Sequence, residues 1–110
     1  MKTFENVSSL KDATLRAGQL VETKGYYMAG DGGHGRYLVK PASAVDGYVD
    51  HLLAGGTIAV RISIATYGTG SPEGVEYGKV GMLYTDWSGG TGTTLYVKES
   101  GTGNTGWVAK

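Results

Sequence analysis

The sequence predicts a mainly β protein with a short N-terminal helix and small antiparallel sheets, on three observations. Twenty of 110 residues are glycine and only two are proline, against roughly 7% glycine in an average protein, and no collagen-like period of three accompanies the excess. The chain therefore turns often. Apolar residues alternate with period two through Thr57-Ile58-Ala59-Val60-Arg61-Ile62-Ser63-Ile64, as in a strand with one buried face. Other β-prone runs are brief and are separated by glycine-rich turns.

Taken in order, Ser8-Ser9-Leu10-Lys11-Asp12 places a hydroxyl at an N-cap with an acidic residue three positions after Ser9, and Gly18 supplies a stop. This predicts a helix from about Ser9 to Ala17 whose face of Val7, Leu10, Thr14 and Leu15 packs on a sheet. Gln19 to Thr23 reads as a strand, turned by Lys24-Gly25 into Tyr26-Tyr27-Met28. In the loop that follows, four of the six residues from Gly30 to Gly35 are glycine. Arg36 to Lys40 is the next strand, ended by Pro41, which cannot donate to a ladder. A polar stretch leads through His51-Leu52-Leu53 to the run Thr57–Ile64, whose Ile58, Val60, Ile62 and Ile64 are expected to form the core of the first module. Residues 65–80, with five interruptions by glycine or proline, read as a connector. Residues 81–110 read as a three-stranded meander over 81–86, 93–98 and 106–109. The expected organisation is thus a β module with a short helix over 1–64, a connector over 65–80 and a small meander module over 81–110. So small a meander buries little surface alone, which predicts oligomerisation.

Composition narrows the function. Ten basic and ten acidic residues cancel, with no Lys/Arg run to track phosphates, so nucleic-acid binding is disfavoured. No apolar run approaches the ~20 residues that span a bilayer, and residues 1–6 carry no apolar signal core; a soluble chain without membrane insertion is expected. The absence of cysteine removes disulfides and thiolate chemistry. His34 and His51 are the only histidines; neither sits in a nucleophile or zinc motif, and both read as structural. Asp31-Gly32-Gly33 matches neither an EF-hand nor a phosphate loop. No catalytic, cofactor or metal site is therefore expected. The acidic residues fall in turns, where Asp caps its own backbone.

Two stretches resemble known families. Leu10 to Leu15, and above all Gly25-Tyr26-Tyr27-Met28-Ala29-Gly30-Asp31-Gly32-Gly33-His34-Gly35-Arg36-Tyr37, are similar to the N-terminal segment of bacteriophage tailspikes and related fibres; Val45 to Tyr48 and Leu53 to Val60 are similar too. His34 stands where that segment more usually has glycine. Gly70 to Val75, Gly81 to Asp86 and Gly90 to Val108, including Thr94-Leu95-Tyr96-Val97-Lys98-Glu99-Ser100-Gly101-Thr102-Gly103-Asn104-Thr105-Gly106-Trp107-Val108, resemble a small β module of phage tail fibres. The resemblance implies a homotrimer, with the small sheets intertwined, located on the tail or capsid surface of a virion and made in the host cytoplasm. This chain has no room for the long β-helix on which polysaccharide-cleaving tailspikes carry their carboxylates, so no enzyme is expected.

The function expected is structural: a trimeric tail appendage, adaptor or small surface fibre that assembles with other phage tail or capsid proteins. Alternatives are a receptor- or carbohydrate-binding tip for host attachment, in contact with a host glycan or protein, and a capsid decoration protein. The residues expected to carry assembly are Tyr26, Tyr27, Asp31, Gly32, Gly33, His34 and Tyr37 around the glycine loop, and Tyr84, Trp87, Tyr96 and Trp107 in the second module. Their rings supply area with a polar handle, and the loop glycines are read as a means of close chain-to-chain packing.

Overall fold

The computed structural model describes every residue from Met1 to Lys110. It is mainly β, with two small mixed sheets and one short helix, and it divides into two units, Met1–Ser63 and Ile64–Lys110.

In the first unit, β1 (Lys2–Phe4) leads to α1 (Val7–Lys11), followed by β2 (Leu20–Thr23), β3 (Gly35–Lys40), β4 (His51–Leu52) and β5 (Ile58–Arg61). The sheet order is β1-β2-β3-β5-β4. Asn6, rather than a serine, starts the helix, its side chain accepting a hydrogen bond of 2.8 Å from the Ser9 N–H. The helix stops well short of the expected Ala17. The Ala54 N–H takes the Lys11 carbonyl at 2.9 Å, so that acceptor is held by a distant segment instead of the next helical turn. Val7 and Leu10 face inward, and Leu10 joins Leu15, Val21, Tyr37, Val39, Leu53 and Ala59 in the core.

The first hairpin also differs from expectation. Tyr26–Met28 is not a strand; β2 pairs antiparallel with β3, from Leu20↔Leu38 to Thr23↔Gly35. The face of Ile58, Val60, Ile62 and Ile64 is not the core either. β5 ends at Arg61, Ile62 and Ile64 are exposed and Val60 is half-buried, leaving only Ile58 of the four fully covered. The opposite face turns inward because Tyr37 and Val39 on β3 and His51 on β4 already fill that layer. Ala59 lies opposite both Val39 and His51, where a small side chain admits the larger neighbours.

The second unit contains β6 (Ala65–Gly68), β7 (Leu83–Asp86), β8 (Leu95–Lys98) and β9 (Trp107–Ala109), in that spatial order. The stretch 65–80 is therefore no mere connector: it supplies β6, which pairs parallel with β7. The sheet has four strands in place of the expected three, and neither sheet is purely antiparallel, since β1 and β2 are also parallel. A parallel pair needs a long crossover. The chain after β6 provides one, with Pro72 and Met82 buried along it.

The inner face of this sheet carries Thr66, Tyr84, Asp86, Tyr96, Lys98 and Trp107, all buried. The Tyr84 ring lies 6.2 Å from that of Tyr96 and 6.1 Å from that of Trp107. The Trp107 indole donates to the Glu76 carbonyl at 2.8 Å, while the Glu73 carboxylate accepts from the N–H groups of Gly106 and Trp107. Lys98 donates to the carbonyls of Ser100 and Gly101 at 2.8 and 3.1 Å; burial pulls its ammonium below the usual lysine value, against the favourable charge of Glu73.

Leu10→Ala, at a position with 0% exposure, is expected to cost about 2–5 kcal/mol in denaturant unfolding. Leu52→Ala, at 56% exposure, should stay within about 0.5 kcal/mol. Equal effects at the two sites would contradict the assigned core.

Candidate functional site

Asp31 organises the glycine loop. Its Oδ1 accepts from the Tyr26 and Gly33 N–H groups at 3.0 and 2.9 Å, and its Oδ2 from those of Tyr27 and Met28 at 2.8 and 3.2 Å. Partial burial works against the charge, but the four backbone donors outweigh it and hold the carboxyl below the usual aspartate value. Glycine is required because the backbone closes tightly on this carboxylate. A Cβ at Gly25 would collide with the Met28 carbonyl, and one at Gly33 would lie 2.7 Å from Tyr26 Cβ. The chain's own packing thus accounts for these two glycines.

The loop presents Tyr26 and Tyr27 in different ways. Tyr26 is half-buried and its hydroxyl donates to the Tyr48 carbonyl at 2.6 Å. Tyr27 is 69% exposed with its ring 4.7 Å from that of Tyr26. Asn6 donates to the Tyr27 carbonyl, and the Tyr26 carbonyl accepts from the Val7 N–H. These bonds lay the tyrosine pair beside α1 around a cleft of about 350 Å³, with Ser8, Lys11 and Asp12 on its helical side. His34 is exposed, and its carbonyl accepts from the Arg61 guanidinium at 3.1 Å.

Several residues expected at an assembly surface instead lie inside. Tyr37 is fully buried, Gly32 and Gly33 are buried beneath the loop, and Tyr84, Tyr96 and Trp107 line the inner face of the second sheet. Their rings serve the chain's own core. Of the second unit's expected aromatics, Trp87 alone is exposed, at 68%. It stacks on Tyr67, ring centroids 4.3 Å apart and planes within 10°. Its N–H donates to the Gly68 carbonyl at 2.8 Å, and Asp86 Oδ1 gathers the N–H groups of Gly70 and Ser88 and the Ser88 hydroxyl. The Ser88 hydroxyl, followed by the backbone donors, holds the Asp86 carboxyl below its usual value. Nothing local in the sequence singles out Tyr67, because Gly68 and Gly70 mark its segment as a connector; its place on a strand beside β7 brings it to Trp87.

The outer faces of both sheets carry further apolar residues. In the first unit, Leu20, Leu38 and Val60 align across β2, β3 and β5, with Leu20 49% exposed and Leu52 and Ile62 also exposed. In the second, Leu83, Val97 and Val108 align across β7, β8 and β9, beside the exposed Leu95. Each sheet thus carries an apolar row three strands wide on the side away from its core. Alternation in Leu95 to Lys98 could have signalled the second row.

Comparison with family models, curated proteins and solved structures finds no match. The chain's own geometry carries the functional argument. No cluster of three or more His, Cys, Asp or Glu could hold a metal ion, and no helix is long and apolar enough to cross a membrane.

Asp31→Ala is expected to lower stability by about 1–3 kcal/mol, because four backbone donors lose their acceptor. A carboxylate with a lowered folded value stabilises above the unfolded pKa of about 3.8, and this contribution fades as pH falls through the folded value. The gap between wild type and variant should therefore narrow in acid below about pH 3.8. A gap that does not change with pH would contradict the role given to the Asp31 charge.

Proposed function

We propose that this chain is a non-enzymatic structural component of a bacteriophage virion, acting as a trimeric tail appendage, adaptor or small surface fibre that assembles with other virion proteins. The observation that supports it most directly is the pair of apolar outer rows, Leu20-Leu38-Val60 and Leu83-Val97-Val108, one on each small sheet. Leu20 and Val108 in these rows are exposed and the other four residues are half-buried; contiguous accessible apolar surface marks sites of association. Units this small gain stability when neighbouring chains cover such faces. The resemblance of Gly25–Tyr37 and Thr94–Val108 to phage spike and fibre segments supplies the biological setting, on the tail or capsid surface of the virion. The buried placement of His51 supports a non-catalytic reading, because an imidazole without access to solvent meets no substrate.

A second reading has one specific observation in its favour. The Tyr67–Trp87 stack is a rigid aromatic platform held out toward solvent, suited to a receptor- or carbohydrate-binding tip. Glycan-array binding lost in Trp87→Ala, with assembly intact, would favour it over the structural role.

Light scattering of the purified chain should give about three times the 11.5 kDa of one copy. Leu38→Asp or Val97→Asp should shift that mass toward a single copy while the circular dichroism of the sheets persists. A monomer in the unmodified chain, together with absence of the protein from purified particles, would overturn the proposal.

A further inference from the structure

His51 is fully buried, and neither ring nitrogen has a hydrogen-bond partner. A neutral imidazole always carries one N–H donor, and leaving a buried donor unmade is costly enough that such groups usually mark a strain reservoir or a functional element. The ring is enclosed by aromatics, with Tyr26 edge-on at 6.0 Å and Tyr37 at 5.8 Å.

The charged groups around His51 come from three elements. Lys11 on α1 and Arg61 on β5 oppose a positive imidazole, whereas Asp46 and Asp50 in the preceding turn favour one. Both carboxylates are already engaged by backbone. Asp46 Oδ1 accepts from the N–H groups of Tyr48, Val49 and Asp50, and Asp50 Oδ1 accepts from the Arg61 N–H at 2.8 Å. Burial dominates, lowering the His51 pKa from 6.5 to about 4. A protonated ring in this cage needs water, and the strand that carries it is a short edge. β4 is an edge strand of two residues, whose ladder with β5 consists of His51↔Ala59 and Leu52↔Ile58, bounded on one side by the Leu53 N–H to Thr57 carbonyl bond at 2.9 Å and on the other by the Arg61 N–H to Asp50 bond.

We propose that β4 and the turn Asp46–Asp50 form an acid-released latch: protonation of His51 drives this edge strand off β5 and opens the first unit at Ala59, while the second unit stays folded. The direction follows from linkage. A histidine whose folded pKa is depressed stabilises the closed form above the unfolded value near 6.5 and loses that contribution as pH falls toward about 4. Asp46 and Asp31, both held below 3.8, release their contributions only at lower pH, so the latch opens first. The inference stands independently of the virion role.

Hydrogen exchange of the full chain at pH 7 and pH 5, corrected for intrinsic rates, tests it. Protection over residues 46–61 should fall about twenty-fold between these values, while β7 to β9 remain protected. Both tryptophans lie in the second unit, so their emission should stay constant. His51→Phe should abolish the pH-dependent loss. Should that variant fail to fold, the NMR titration of His51 in the unmodified chain decides: a ring that stays neutral below pH 5 until the strand opens supports the latch. An imidazole that titrates near 6.5 in the closed chain, loss of protection shared by both units, or pH dependence surviving in His51→Phe would each overturn it.

Discussion

A sheet has two faces, and a chain this short covers only one of each. That constraint organises both units. In the first, α1 and the segment around Leu15 and Leu53 close over Val21, Tyr37, Val39 and Ala59. In the second, the crossover bearing Pro72 and Met82 accompanies the burial of Tyr84, Tyr96 and Trp107. The faces left over each carry an apolar row, flanked in the first unit by the Glu22–Arg36 ion pair and Lys40, and these rows are the physical ground on which the assembly reading rests.

The two units solve the covering problem with the same plan. Each begins with a strand that pairs parallel with the next strand in its sheet, and the crossover between them is the element available to cover a face. Antiparallel strands then extend the sheet. A glycine-rich chain bent in this way leaves many backbone N–H groups outside any ladder, and carboxylates collect them: Asp31 in the glycine loop, Asp46 before β4, Asp86 at the end of β7 and Glu73 against the start of β9. Each of these four carboxylates is held singly by backbone N–H groups, three of them within a local turn and Glu73 across to Gly106 and Trp107.

The mainly β class, the helix near Leu10 and the strands at 35–40, 83–86, 95–98 and 107–109 were legible because alternation, turn residues and Pro41 agree there. Three features were not legible, for reasons of tertiary origin. The helix end depends on Ala54 binding the Lys11 carbonyl, a contact that no local signal announces. The inward face of β5 is chosen by the bulk of Tyr37, Val39 and His51, so the bland Ala59 and Arg61 outrank the stronger pattern of isoleucines. β6 is hidden because a parallel partner lies far along the chain and Gly68 and Gly70 read as breakers. Of the aromatics expected at a surface, Tyr27 and Trp87 are exposed whereas Tyr37 and Trp107, which no local signal distinguishes from them, are buried.

The claim that matters most is that the outer rows of the two sheets are assembly surfaces. A density map of the assembled protein, whether as an isolated oligomer or within a particle, tests it in one step. The account predicts that Leu20, Leu38 and Val60, and Leu83, Val97 and Val108, lie against protein from neighbouring subunits. A map in which both rows face solvent, with subunits joined elsewhere, would contradict it.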